Sequence, residues 1–141
     1  MGRNHRWDPK EYLHVELTEQ IVGACIEVHR VLGPGYVEPV YRKALLVELG
    51  LRGLAAKSER KVGVLYKDVE VGTHRYDVLV EDKVVIELKS VEALHSRHQA
   101  QLVSTLKALG LEVGLLANFN VAVMKDGIKR VAASHPGRSR R

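Results

Sequence analysis

The spacing of apolar residues divides the first third of the chain into two helices. Residues 18–32 carry apolar side chains at intervals of four, three and four, at Ile21, Cys25, Val28 and Leu32. Thr18 can cap this helix, and the GPG sequence at 33–35 ends it. A second helix is predicted over 38–49, with Pro39 in its first turn and Gly50 after its end. Its predicted buried side consists of Val40, Ala44 and Leu45.

After the second helix, the spacing of apolar residues becomes that of strands, with one further stretch of helical spacing. Strands are predicted over 59–66, 69–72, 74–80, 84–90 and 112–119, and a helix over 95–109. Asp126-Gly127 is a turn signal that favours a small terminal hairpin. This order predicts an α/β fold with a mixed central sheet flanked by helices.

Composition favours one domain and excludes several classes of protein. The chain has 141 residues, 45% of them hydrophobic, and it has no apolar run near the roughly 18 residues of a membrane span. Its N-terminus lacks the apolar middle of a signal peptide, and one cysteine excludes an intrachain disulfide. We therefore expect a cytoplasmic domain over 16–133, a polar tail over 1–15 and a basic tail over 134–141.

The net charge of +5 decides little about partners because it lies at the ends of the chain. Residues 1–10 contribute +2 and residues 134–141 contribute +3, whereas residues 11–133 hold 16 basic and 16 acidic side chains. A basic tail can contact phosphates or stay solvated and disordered, and the second alternative is the usual one for chain ends.

Two charged residues interrupt a strand that otherwise reads as buried, since Glu87 and Lys89 lie within VVIELKS. Pairing the strands across the loop 81–83 places Asp77 opposite Glu87, with their β-carbons about 5 Å apart, and Arg75 opposite Lys89. Strict alternation then puts these four side chains on one face of the sheet, and Tyr76, Val78, Val80, Ile86 and Leu88 on the other.

Two opposed carboxylates repel each other, and a divalent cation would relieve that repulsion. A lysine one pleat away could orient an attacking water, and Arg75 could help neutralise a phosphate. The alternative is that Glu87 and Lys89 are solvent-facing residues of a half-exposed sheet, since such triplets are common.

Four segments together resemble one known family. They are GYVEPVY at 35–41, YDVLVEDKVVIELKSVEAL, HQAQLVSTLKALGLEVGLLANFNV and MKDGIKR. In order and spacing they resemble the GxxExxY protein family, which is assigned to the PD-(D/E)xK nuclease-like superfamily, over roughly residues 16–131. The resemblance implies a restriction-endonuclease-like αβββαβ core.

The resemblance also implies roles for five residues. Asp77 and Glu87 match the two acids of the motif and Lys89 its lysine, while Glu38 matches a helix carboxylate that joins the metal shell. Gln101 matches a glutamine near the substrate side. The implied cofactor is Mg²⁺ or Mn²⁺, and the implied partner is nucleic acid, DNA rather than RNA.

The chain departs from the family pattern at two positions. Tyr76 stands where the motif name has proline, and this position is loose in the superfamily. Thr105 stands four residues after Gln101, where many relatives carry tyrosine, which weakens the case for Gln101. Glu38 alone could equally serve the helix dipole.

Other conspicuous residues are interpreted as structural. Tyr41 is expected to pack with its hydroxyl bonded, and Cys25 is expected to be an inert core thiol. His95 and His98 are expected at a solvated helix start and not on a metal, because no third ligand is near. Trp7 is either an exposed aromatic of the tail or a docking anchor.

The sequence thus predicts a metal-dependent nuclease-like phosphodiesterase. The alternative is a catalytically silent module that keeps the nuclease fold and binds nucleic acid or protein. A homodimer and an unknown protein partner are both left open.

Overall fold

A computed structural model describes residues 13–133. It contains α1 (Val15–Leu32), α2 (Glu38–Leu51), β1 (Ala56–Tyr66), β2 (Val69–Val80), β3 (Val84–Lys89), α3 (Ser96–Leu109), β4 (Val113–Asn118), a short 3₁₀ helix (Met124–Gly127) and β5 (Ile128–Ala132). Trp7, most of the predicted N-terminal tail and the whole basic tail lie outside the described residues. Val15, which the sequence predicts to lie in the N-terminal tail, is the first residue of α1.

The five strands form one mixed sheet in the order β1-β2-β3-β4-β5. Strands β3 and β4 are parallel, and the other neighbours are antiparallel. Helix α3 makes the crossover that a parallel pair requires. The predicted α/β fold with a mixed sheet flanked by helices is confirmed.

Helices cover both faces of the sheet, so its central strands are buried on both sides. One apolar cluster joins α1 and α2 to residues such as Val78, Ile86 and Leu88. The other joins α3 to residues such as Leu79 and Val85. Burial on both faces explains why β3 reads as a nearly continuous apolar run.

The predicted pairing of β2 with β3 is confirmed for three pairs, which end at Val78 opposite Ile86. Strict alternation beyond that point was wrong. Tyr76 packs in the α3 cluster with Leu79 and Val85, not with Val78. The alternation fails at Asp77, where β2 leaves β3.

The first helix begins earlier than predicted, and Thr18 is not its cap. Thr18 lies inside α1, where its hydroxyl donates to the carbonyl oxygen of Val15 at 3.0 Å. Leu13 and Leu17 pack against the core and extend the apolar stripe backwards, which lengthens the helix. Cys25 is buried within this stripe, as expected, and burial raises the pKa of its thiol to about 12.

The predicted buried side and end of the second helix were partly wrong. Leu45 is buried, but Val40 is exposed, because the fully buried Tyr41 sets the phase of α2. The helix continues past Gly50 to Leu51, and the left-handed residue after it is Gly53, with φ of 76°.

The predicted terminal hairpin is also absent from residues 13–133. Residues Met124–Gly127, which include the Asp126-Gly127 turn signal, form the 3₁₀ helix. The strand that follows, β5, pairs with β4. Across residues 13–133, no helix has both the length and the apolar character needed to cross a membrane.

Candidate functional site

The candidate site lies where β2 and β3 separate, and the acidic side chains themselves bridge the gap. The backbone N–H of Asp77 donates to Oε1 of Glu87 at 3.1 Å, and the N–H of Leu88 donates to Oδ2 of Asp77 at 2.9 Å. In a regular sheet these N–H groups would donate to backbone carbonyl oxygens of the neighbouring strand. Here a side-chain carboxylate of the neighbouring strand accepts each of them instead. The structure therefore brings Asp77 and Glu87 together at the end of their pairing.

Glu38, the first residue of α2, reaches the same point from the helix layer. Burial, followed by the negative charge of Asp77, raises the pKa of Glu38 above its ordinary value. Lys89 and Arg42 act in the opposite direction. Three carboxyl groups, on a helix and two strands, are therefore close enough to influence one another.

Glu87 has the most strongly perturbed carboxyl group of the three. Burial first, and the charge of Asp77 second, raise the pKa of Glu87 to about 7. The hydrogen bond from the backbone of Asp77 and the charge of Lys89 only partly offset these effects. Its surroundings therefore favour the protonated form of this carboxyl group more than water does.

Lys89 supplies an ammonium beside these acids, and it is half-buried at the end of β3. Within residues 13–133, none of the ion pairs shorter than 4.0 Å includes Lys89, Asp77, Glu87 or Glu38. The negative charge of the cluster is therefore not neutralised by direct ion pairing in the described part of the chain.

The donor atoms of the cluster suit a hard divalent cation, although its side chains are not yet arranged as a finished metal shell. Across residues 13–133, no three His, Cys, Asp or Glu side chains already surround one point at ligating distance. However, carboxylate oxygens are the ligands that Mg²⁺ and Mn²⁺ prefer. Of the two oxygens of Glu87, the described residues engage only Oε1 in a hydrogen bond.

Comparison with known proteins identifies the family. The model of the PD-(D/E)XK nuclease superfamily matches residues 15–131. The chain belongs to this superfamily. The match confirms the superfamily that the motifs indicated, while membership of the GxxExxY family within it stays a prediction.

The solved structures that match include the crystal structure of SSO0001, with 18% identity and a TM-score of 0.49. The match covers 92% of this chain and 64% of that chain, so our chain spans less than two thirds of the solved protein. No curated protein matches the chain significantly.

Two residues that the nuclease motifs singled out on α3 differ in their surroundings. Gln101 is exposed, and its backbone oxygen accepts a hydrogen bond from the hydroxyl of Thr105 at 3.1 Å. Thr105 is fully buried, so this departure from the family pattern lies in the core. The role of Gln101 stays a prediction.

The two histidines lie at the start of α3, but only His95 is solvated as expected, because His98 is buried. His95 is the N-cap, and its backbone N–H donates to Nδ1 of His98 at 3.0 Å. Burial first, and the charge of Lys89 second, lower the pKa of His98.

Arg75 is not opposite Lys89, in contrast to the predicted register. It pairs with Lys61 of β1, and Nη1 of its guanidinium lies 3.8 Å from a carboxylate oxygen of Glu59. The same oxygen lies 3.3 Å from Arg42 of α2. Because β2 separates from β3 at Asp77, Arg75 follows β1 away from Lys89.

Asn118 was missed by the sequence analysis, although it fixes the segment that follows Lys89. Its amide donates to the carbonyl oxygen of Val91 at 2.9 Å, and its Oδ1 accepts from the N–H groups of Val91 and Asn120 at 3.1 and 3.2 Å. The available signal was an asparagine at the end of an otherwise apolar strand.

Tyr41 packs with its hydroxyl bonded, as expected, and it also orders the loop that precedes Glu38. Its hydroxyl donates to the carbonyl oxygen of Gly33 at 2.6 Å and accepts from the N–H of Tyr36 at 3.1 Å. Its ring stacks on Phe119 with centroids 4.6 Å apart. The Gly-x-x-Glu-x-x-Tyr pattern thus links the position of Glu38 to the core.

Proposed function

We propose that this protein is a metal-dependent nuclease-like phosphodiesterase that acts on nucleic acid, and on DNA rather than RNA. The observation that carries the proposal is the meeting of Asp77 and Glu87 where their strands separate, beside Glu38 and Lys89. Opposed, half-buried carboxylates are costly in a sheet, and a cation-dependent function accounts for them.

The residues that would hold the cation are Asp77, Glu87 and Glu38. Nucleases of this superfamily generally use divalent metals such as Mg²⁺. When bound, such an ion supplies positive charge to the phosphate and lowers the pKa of a water molecule. The raised pKa values of Glu38 and Glu87 fit this assignment, because a nearby positive charge would return both groups to the ionised form.

Hydrolysis of a phosphodiester requires a water oriented towards phosphorus and stabilisation of the charge that develops on the phosphate oxygens. Lys89 is proposed to do both through its ammonium group at the end of β3. Its strand pairs with β4 up to Asn118, so its backbone is rigid. Arg75 is proposed to contact a phosphate, since its side chain is 59% exposed, and Gln101 to contact the substrate from α3.

The second candidate is a catalytically silent module that binds nucleic acid or protein. Two observations favour it: the carboxylates do not yet surround one point, and residues 11–133 carry equal numbers of acidic and basic side chains. Phosphate binding normally draws on a basic surface. A cytoplasmic location and a homodimer or other protein partner stay predictions from the sequence.

The test is a cleavage assay on single-stranded, duplex and supercoiled DNA and on RNA, with Mg²⁺, with Mn²⁺ and with chelator. We expect cleavage by the parent protein with metal and none in chelator. Lys89→Ala and Asp77→Ala should each lower the rate by roughly 100-fold or more.

The matched controls are Lys83→Ala and Asp126→Ala, which remove exposed charges outside the acidic cluster. Both should cleave at the parent rate. Equal cleavage by all five proteins would indicate a contaminant and refute the catalytic proposal. Binding without cleavage under every condition would support the silent module.

A further inference from the structure

A cleft of about 400 Å³ opens directly beside the candidate site. Its walls include Tyr36, Val37 and Glu38, from the loop and the start of α2, and Ser90 and Asn120 from the segments after β3 and β4. Glu38 is one of the three clustered acids, and Ser90 follows Lys89 in the chain. A molecule held at the candidate site would therefore extend naturally into this cleft.

Tyr36 has an exposed aromatic ring, and hydrogen bonds hold its backbone in place. Tyr36 is 49% exposed, yet its N–H donates to the hydroxyl of Tyr41 at 3.1 Å and its carbonyl oxygen accepts from the hydroxyl of Ser90 at 2.8 Å. Its ring meets Tyr41 edge to face, with centroids 6.0 Å apart, and Tyr41 stacks on Phe119. The ring is therefore anchored to the core, so little ordering is needed when a ligand stacks on it.

The chemistry of the cleft suits a flat, uncharged group. Val37, which is 67% exposed, adds apolar surface beside Tyr36, and the volume lies within the range of small-ligand sites. The carboxylate of Glu38 would repel a phosphate inside the cleft, so a phosphate is expected at the candidate site and not in the cleft itself. A nucleobase has a π-face that stacks on aromatic side chains, and a base offers that face only when it is released from a duplex stack.

We propose that this cleft binds one unpaired nucleobase, which stacks on Tyr36 while an adjoining phosphate lies at the candidate site. The inference rests on the proposed function and deepens it, because it specifies that the substrate is single-stranded beside the reacting phosphate. Ends, flaps and single strands would then be preferred over intact duplex.

The test uses oligonucleotides that carry 2-aminopurine, whose fluorescence falls when the base stacks. Binding is measured with Mg²⁺ in a Lys89→Ala background, so that the substrate stays intact. Adding Tyr36→Ala should raise the Kd for single-stranded DNA about tenfold and abolish the quenching at one probe position. Adding Tyr36→Phe, which keeps the ring, should preserve both.

Tyr66 offers a matched control, because it is also an exposed tyrosine, at 62%, but lies at the end of β1. Adding Tyr66→Ala should leave the Kd and the quenching unchanged. The inference is overturned if Tyr36→Ala has no effect, or if Tyr36→Phe or Tyr66→Ala is equally damaging. Absence of binding to any DNA or RNA by the protein in which Tyr36 and Lys89 are both unchanged would refute the proposed function as well.

Discussion

Glu87→Gln tests the electrostatics of the acidic cluster without removing its geometry. Glutamine keeps an oxygen that can accept the hydrogen bond from the N–H of Asp77, but it cannot ionise. Burial and Asp77 raise the pKa of Glu87 from 4.5 to about 7 in the folded protein. The folded state therefore binds this proton more tightly than the unfolded state does.

The sign of the pH dependence follows from that difference. The contribution of Glu87 to stability is complete below pH 4.5 and is lost as the pH rises through 7, because ionisation in the folded state is unfavourable. A shift of this size corresponds to about 3 kcal/mol above pH 7. In metal-free protein, Glu87→Gln should therefore raise the free energy of unfolding by up to that amount at pH 8 and hardly change it at pH 4.5.

The assay is urea unfolding in chelator at several pH values between 4.5 and 8, with Glu19→Gln as the control. Glu19 is exposed on α1, so its variant should follow the parent protein at every pH. The reasoning would be refuted if the difference in free energy of unfolding between Glu87→Gln and the parent stayed constant or shrank as the pH rose.

Other predictions concern charge, hydrogen bonds and packing. Asp77→Asn should raise the metal-free melting temperature by about 4 °C, since it removes the charge that perturbs the other acids; no rise would argue against charge crowding. Tyr41→Phe should cost about 1–2 kcal/mol in urea unfolding, because two hydrogen bonds are lost; an unchanged midpoint would show that the hydroxyl does not hold the loop. Gly127→Ala should cost about 2 kcal/mol or more, because its Cβ would collide with the carbonyl oxygen of Asn118. At Gly50, within α2, a new Cβ would meet open space, so Gly50→Ala should raise the free energy of unfolding by about 0.5–1 kcal/mol. Equal melting temperatures for these two glycine variants would contradict both arguments.

The order of elements could be predicted because periodicity reports which faces are buried. Some helix ends could also be predicted, since α1 ends at Leu32 and α3 at Leu109, as expected. The start of α1 and the end of α2 could not: Leu17 packs on the core before Thr18, and the left-handed residue after α2 is Gly53, not Gly50. Neither Thr18 nor Gly50 therefore marks an end of its helix.

The proximity of Asp77 and Glu87 could be predicted, but the contacts that they make could not. The alternation and register of the two strands predict that Asp77 lies opposite Glu87. The separation of the strands could not be predicted, because there the two carboxylates accept the hydrogen bonds that backbone carbonyl groups would accept in a regular sheet. That separation also moved Arg75 towards Glu59, which has a positive φ of 52°. The anchoring of Tyr36 needs residues far apart in the chain, and no local pattern indicates it.

The most direct test of the central claim is a crystal structure of the parent protein grown with Mn²⁺, with the ion located by its anomalous scattering. We expect an anomalous peak in contact with the carboxylates of both Asp77 and Glu87, and its loss in Asp77→Ala. Fully occupied Mn²⁺ sites only elsewhere, or side chains at 77 and 87 that face opposite surfaces, would contradict the account.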